Sequence, residues 1–151
     1  MKEKKAKVGF VLRKIITEQF AVIDEAYEEG KEVKLNTQIQ FSINPDQKML
    51  GVKAVFKFEQ SKIPFLLVEA SCHFQIAEKT WDSFIQEETE AFIVPAGFMC
   101  HLSMLTVGTV RGILHARTEN TPFNKYLIPT INVAAMITDD ITFDIQNLTT
   151  Q

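Results

Sequence analysis

Residues 95–117, PAGFMCHLSMLTVGTVRGILHAR, read as one long helix, about 33 Å from end to end at 1.5 Å per residue. Pro95 suits the first turn, where its missing N–H costs nothing. Arg111, His115 and Arg117 gather toward the other end, where cations complement the helix dipole. What the stretch lacks is a charged side. Phe98, Leu102, Leu105, Thr109, Ile113 and Ala116 make a stripe at steps of three and four, while Met99, Val107, Val110 and Leu114 carry apolar groups well round the cylinder from it. A helix apolar nearly all round is buried on more than one side. Gly108 and Gly112 leave a shallow strip where another backbone can approach. Two interior glycines cost about 1 kcal/mol each against alanine, so they point to a packing reason. The expectation is a helix with one side on its own sheet and the other against a second copy, with Gly108, Gly112, Val107 and Val110 at the oligomer interface.

Upstream of the helix the period changes from 3.6 to two. Residues 10–27, FVLRKIITEQFAVIDEAY, favour a long, bent strand, although apolar residues fall on both parities. In residues 33–43, Val33, Leu35, Thr37, Ile39, Phe41 and Ile43 alternate with Lys34, Asn36, Gln38, Gln40 and Ser42. That pattern sends one set inward and the other to water. Residues 44–48, NPDQK, form a turn, and residues 49–59 and 65–76 supply the third and fourth strands. Leu66, Val68, Ala70, Cys72, Phe74 and Ile76 are assigned inward on the last of these. Four strands on short links make an antiparallel meander, one face of which the long helix has to cover. Residues 79–86 read as a short helix, with Glu87, Glu88 and Glu90 placed near the positive end of the main one. Prolines 122 and 129 mark a loop after it, and residues 141–151 are either a fifth strand or a frayed end. The whole reads as a single α+β domain over 1–151, with 1–7 as a solvated tail.

Composition narrows the function. A chain of 151 residues with 46% hydrophobic and 23% charged residues is long enough for one core without staples. A net charge of −3 offers no electrostatic case for nucleic acid or an anionic membrane. Cys72 and Cys100 make no metal pattern and fit a reducing compartment. The basic amino-terminal stretch is interrupted by Arg13 and Lys14 and lacks a cleavage site. No apolar segment reaches the ~20 residues of a membrane span. A cytoplasmic protein without membrane insertion is expected.

Catalytic patterns are missing as well. There is no glycine-rich phosphate loop, nucleophile elbow, HExxH or CxxC. His101 and His115 stand about 21 Å apart along the helix, and Cys72 and His73 point to opposite faces of a strand. Asp139 and Asp140 read as a solvated turn. No enzyme, cofactor or metal is expected. A binding surface is the better reading. Phe10, Phe20, Phe65 and Leu67 are apolar residues beyond the reach of one helix, candidates for client binding or for closing a core or subunit seam.

The order of these elements resembles the SecB export chaperone family across nearly the whole chain. FLLVEASCHFQIA at 65–77 is similar to that family's fourth strand, and YLIPTINV at 126–133 to its proline-containing segment after the long helix. The resemblance implies a homo-oligomer, a dimer or dimer of dimers with long helices packed between dimers. It also implies ATP-independent holding of unfolded polypeptides along apolar grooves. In that family an acidic sheet surface docks the SecA motor, and Glu69 matches one acidic position of it. Glu18, Gln19 and Ile23 do not match the first-strand positions, and the strand-like tail ITFDIQNLTTQ replaces a second helix, so SecA is not carried over. Three functions are therefore weighed: a SecB-like holdase for unfolded polypeptides or preproteins, an adaptor for one protein partner such as an antitoxin, and a small domain binding an apolar ligand.

Overall fold

In the computed structural model, which describes residues 9–144, four long strands come first: β1 (Phe10–Val22), β2 (Lys34–Asn44), β3 (Met49–Gln60) and β4 (Ile63–Ile76). The alternation in β2 works as written, with Leu35 to Ile43 half-buried at every second position and the polar residues between them exposed. Asn44 Oδ1 accepts the Gln47 N–H at 3.2 Å to close the first hairpin. Ser61 and Lys62, at φ 51° and 67°, form the two-residue turn of the second.

The sheet order is β1-β4-β3-β2, antiparallel throughout. Only β2, β3 and β4 make a meander. The first strand is not beside the second; it lies at the far edge, on β4. Residues 23–33, with a 3-10 turn at Asp24–Ala26, are too long a link to be a hairpin and carry the chain past the intervening strands. The four-stranded α+β architecture stands, with this correction to its connectivity.

Two bulges explain why β1 is apolar on both parities. Phe10, Leu12, Ile15, Thr17, Phe20 and Val22 pair with Ile76, Phe74, Cys72, Ala70, Val68 and Leu66, and the register skips Arg13 and Glu18. Each extra residue shifts the alternation by one. The six residues therefore share one inward-facing row. A third irregularity sits opposite Phe58, where Leu66 pairs with Phe58 and Pro64 with Glu59, leaving Phe65 between them. The bulge turns Phe65 to the helix side, where it meets Tyr27, Phe123 and Tyr126 at ring distances of 4.9, 6.0 and 5.3 Å.

A helical layer covers the inward face. α1 (Glu78–Ser83), β5 (Ile85–Gln86) and β6 (Ala91–Val94) lead into α2 (Ala96–Thr118). Because β6 intervenes, Glu87, Glu88 and Glu90 do not precede the helix as expected. Its first turn is served instead by Asp140, whose Oδ1 accepts the Ala96 N–H at 2.9 Å. α2 places Met99, Leu102, Thr106, Val107, Val110 and Leu114 against β3 and β4. It is long and apolar enough by composition to span a bilayer, contrary to the sequence reading, but this face is packed into the core.

The chain then runs back along α2 through a 3-10 turn (Pro122–Lys125), α3 (Val133–Met136) and β7 (Ile141–Asp144), which pairs with β6. Prolines 122 and 129 do not exclude regular structure here. Arg111 clamps this return segment, donating from Nε to Ile128 O and from Nη2 to Pro129 O, both at 2.7 Å. Tyr126 closes it onto the sheet through a 2.8 Å hydrogen bond with the Tyr27 hydroxyl. Burial, then that hydrogen bond and the nearby Tyr27 and Glu29 charges, push the Tyr126 phenol up to about 12. Tyr126 thus stays protonated at neutral pH. Phe65 is wholly buried in this aromatic knot, so Phe65→Ala should cost about 3–5 kcal/mol in urea unfolding. A loss below 1 kcal/mol would contradict its place in the core.

Candidate functional site

The width of the layers decides what stays open. Strand axes lie about 4.8 Å apart and a helix with its side chains is about 10 Å across, so one helix cannot cover four strands. α2 lies over β3 and β4, and the return segment occupies one flank of it, touching Cys100, Arg111 and the hollow between Met104, Val107 and Ile131. The opposite flank faces β1. Phe10 meets Phe98 and His101 at 5.8 and 5.6 Å, and ten residues along β1 the Arg117 guanidinium lies 5.9 Å over the Phe20 ring.

Between those two contacts β1 and α2 bound an open apolar gutter. Its floor is Leu12, Ile15 and Thr17 on the inward row of β1; Leu105, Thr109 and Ile113 stand on the helix flank above it, by the 100° step of the helix. Leu12, Ile15 and Leu105 are 43%, 50% and 42% exposed, although Phe10, Phe20 and Val22 in the same β1 row pack against the core and Leu102 in the helix stripe is wholly buried. The stripe Phe98, Leu102, Leu105, Thr109, Ile113 and Ala116 is thus mostly the gutter wall. Of the four candidate client-binding residues, Phe10 and Phe20 are half-buried and close the gutter's two ends. Phe65 is in the core because of its bulge. Leu67 is 9% exposed, on the other face of the sheet beside Lys57. Leu12 and Ile15 were missed by the sequence reading; their signal was the parity switch along β1.

A second open surface is the outer side of α2. His101, Met104, Leu105, Gly108, Gly112 and His115 are exposed on it. A Cβ on Gly108 or Gly112 would meet nothing within 4 Å, so the subunit itself does not require either glycine. Val107 and Val110, expected at an oligomer interface, face the subunit's own core at 3% and 0% exposure. They stand one or two residues from the glycines, and a 100° step carries their side chains to the other side of the helix.

The outer face of the sheet is mostly polar, with Val55 and Leu67 buried among its polar side chains. Glu69 lies there, paired with Lys53 at 3.3 Å, which neutralises the charge proposed for motor docking. The Ser71 hydroxyl donates to Glu18 Oε1 at 2.9 Å and lies 3.0 Å from His73 Nε2. Ser71 is buried, and the carboxylate accepts the serine hydroxyl's hydrogen bond rather than orienting the imidazole, so this is a structural tie and not a nucleophile–base pair. Among the described residues, no three His, Cys, Asp or Glu side chains gather to hold a metal. A hollow of about 790 Å³ at one end of the sheet mixes Arg13, Lys48, Asp46 and Glu78 with Phe10 and Met49, a poor match for an apolar small molecule.

No protein-family model and no curated protein matches the chain. Among solved structures it is similar to the Rv1957 SecB-like chaperone of Mycobacterium tuberculosis, solved in complex with a ChAD peptide from the Rv1956 HigA1 antitoxin. The identity is 10% and the TM-score 0.53, over 81% of this chain and 90% of that one. The fold is SecB-like. In SecB-like terms, the fourth-strand match FLLVEASCHFQIA falls on β4 and the residue after it. The segment YLIPTINV runs along α2 into α3, where Asn132 Oδ1 accepts the Ala135 N–H at 3.3 Å. Gly112 offers a clean probe of the outer helix surface. With open space around it, Gly112→Leu should keep the circular dichroism spectrum and lower the sedimentation coefficient; an unchanged coefficient would contradict a neighbour packed on this strip.

Proposed function

We propose that this chain is an ATP-independent polypeptide-holding chaperone that binds extended or unfolded segments in the gutter between β1 and α2. The observation that carries the reading is the row Phe10, Leu12, Ile15, Thr17, Phe20: a continuous apolar face that the subunit builds with two bulges and leaves half uncovered. Exposed apolar surface flanked by polar residues marks an interaction site. Bulges at Arg13 and Glu18 break the open edge of β1 into short runs, which blunts it for long strand addition. Client side chains inserted between Leu12, Ile15 and Leu105 then supply more of the binding than backbone pairing does. This gives breadth rather than sequence specificity.

The magnitude matters. Completing the burial of three side chains already half covered contributes about 3 kcal/mol in all, roughly a hundredfold in affinity. One gutter holds a client weakly; several linked gutters hold it well. Assembly of copies through the outer side of α2 fits both that need and the two glycines. Binding of this kind involves no bond making or breaking, in keeping with a non-enzymatic role. The neutralised Glu69 lends no support to docking on a motor such as SecA.

A second reading, an adaptor dedicated to one partner, is favoured by one observation: the SecB-like neighbour was solved with an antitoxin peptide. The two readings differ in breadth. A holdase suppresses aggregation of several unrelated denatured proteins at similar ratios, whereas an adaptor protects one. In the holdase case, replacing Leu12 and Ile15 together by Asp should weaken binding of a reduced, unfolded model protein at least tenfold. Thermal stability should hardly change, since both positions are half exposed. Full retention of binding by the folded double variant would refute the gutter as the site.

A further inference from the structure

β7 is a four-residue strand held mainly by one neighbouring strand. It pairs with β6 in the register Ala91–Asp144, Phe92–Phe143, Ile93–Thr142 and Val94–Ile141, and its main contacts are with that strand. Ile141 and Phe143 are half-buried and pack against the core, while Thr142 and Asp144 are exposed. Phe143 lies 6.3 Å from Phe92, a wholly buried ring that also touches Trp81 at 4.4 Å and Phe84 at 5.6 Å. Upstream, β7 is tethered at Asp140, whose carboxylate caps α2. β6 would therefore remain anchored without β7: its other edge is held by β5 and by the Ile93 N–H donating to Phe84 O at 2.8 Å.

We propose that the edge of β6 paired with β7 is a second peptide-accepting site, filled at rest by the chain's own Ile141–Asp144 and opened when an extended segment of another polypeptide replaces it. The occupant's chemistry is written in β7: bulky apolar, polar, aromatic, polar, in an extended conformation without proline. Strand addition to a sheet edge supplies the backbone bonds, and the surface over Phe92 reads the aromatic. A tethered strand acts at an effective concentration of about millimolar order, so the resting state is closed and only a matching segment competes. A three-stranded sheet this short is not held rigidly by its ladder alone, which is what replacement needs. The site is distinct from the gutter and does not depend on it.

Backbone groups of neighbouring strand residues point to opposite edges, so Ile93 faces β5 while Phe92 and Val94 face β7. Amide exchange on the full chain, resolved by NMR, then reads β7 directly. Phe92 and Val94 should exchange at least tenfold faster than amides of the β3–β4 ladder, and should slow when a synthetic peptide of residues 139–144, DDITFD, is added. Full-length Phe143→Asp should bind that peptide, fluorescently labelled, at least tenfold more tightly than the unaltered chain. It should not bind the same peptide with its phenylalanine changed to aspartate. The proposal is overturned if Phe92 and Val94 are as protected as the central ladder. It is equally overturned if the folded variant gains no affinity, or if it binds both peptides alike. Should the variant not fold, the exchange rates of the unaltered chain decide alone.

Discussion

One helix has to roof four strands, and it is too narrow. That mismatch organises the molecule. α2 takes the central pair, β3 and β4, whose inward residues Leu50, Val52, Ala54, Phe56, Leu66, Val68, Ala70, Cys72 and Phe74 have no exposure left. The return segment, clamped by Arg111 and the Tyr27–Tyr126 pair, fills one flank of the helix. Nothing in the described chain fills the other, so β1 carries an apolar inward row with no roof over its middle. The result of that arrangement is exposed Leu12 and Ile15, the open apolar surface on which the proposed function rests.

The same geometry separates the two faces of the sheet by role. Inward rows are apolar and either packed or waiting to be. The outward face is a lattice of ordinary polar interactions, with Lys53 on Glu69, Glu18 on Ser71, and Gly51 leaving room for the Ser42 hydroxyl and the His73 ring. Exposed ion pairs contribute little to stability, and a paired Glu69 offers little net charge to a partner. The proposed holding function therefore rests on the inward side and its margins, not on the outward face.

Much of this was legible in the residues. Clean alternation in β2, the turn residues at 44–48 and a 95–117 stretch without a charged side were enough for a four-stranded α+β fold with one long helix, and the order of elements already resembled SecB. The misreadings on the sheet share one physical source: irregularities of a single residue. Bulges at Arg13 and Glu18 hid the continuous row on β1, and the bulge at Phe65 moved a supposed groove residue into the core. An error of phase on α2 put Val107 and Val110 on the glycine side, although Met99, Leu102, Thr106 and Val110 are the row that meets the sheet. Partners distant in sequence were invisible too. Asp140 capping the helix 44 residues before it, and β1 crossing to β4, depend on tertiary placement that local patterns do not encode.

What unites the gutter, the outer side of α2 and its two unneeded glycines is that the subunit leaves each of them open, and the proposed function has another polypeptide complete them. The most direct measurement is the mass of the purified chain in solution by light scattering at micromolar concentration. A stable mass of two or more copies is the predicted result. A monodisperse single copy over that range would contradict the account.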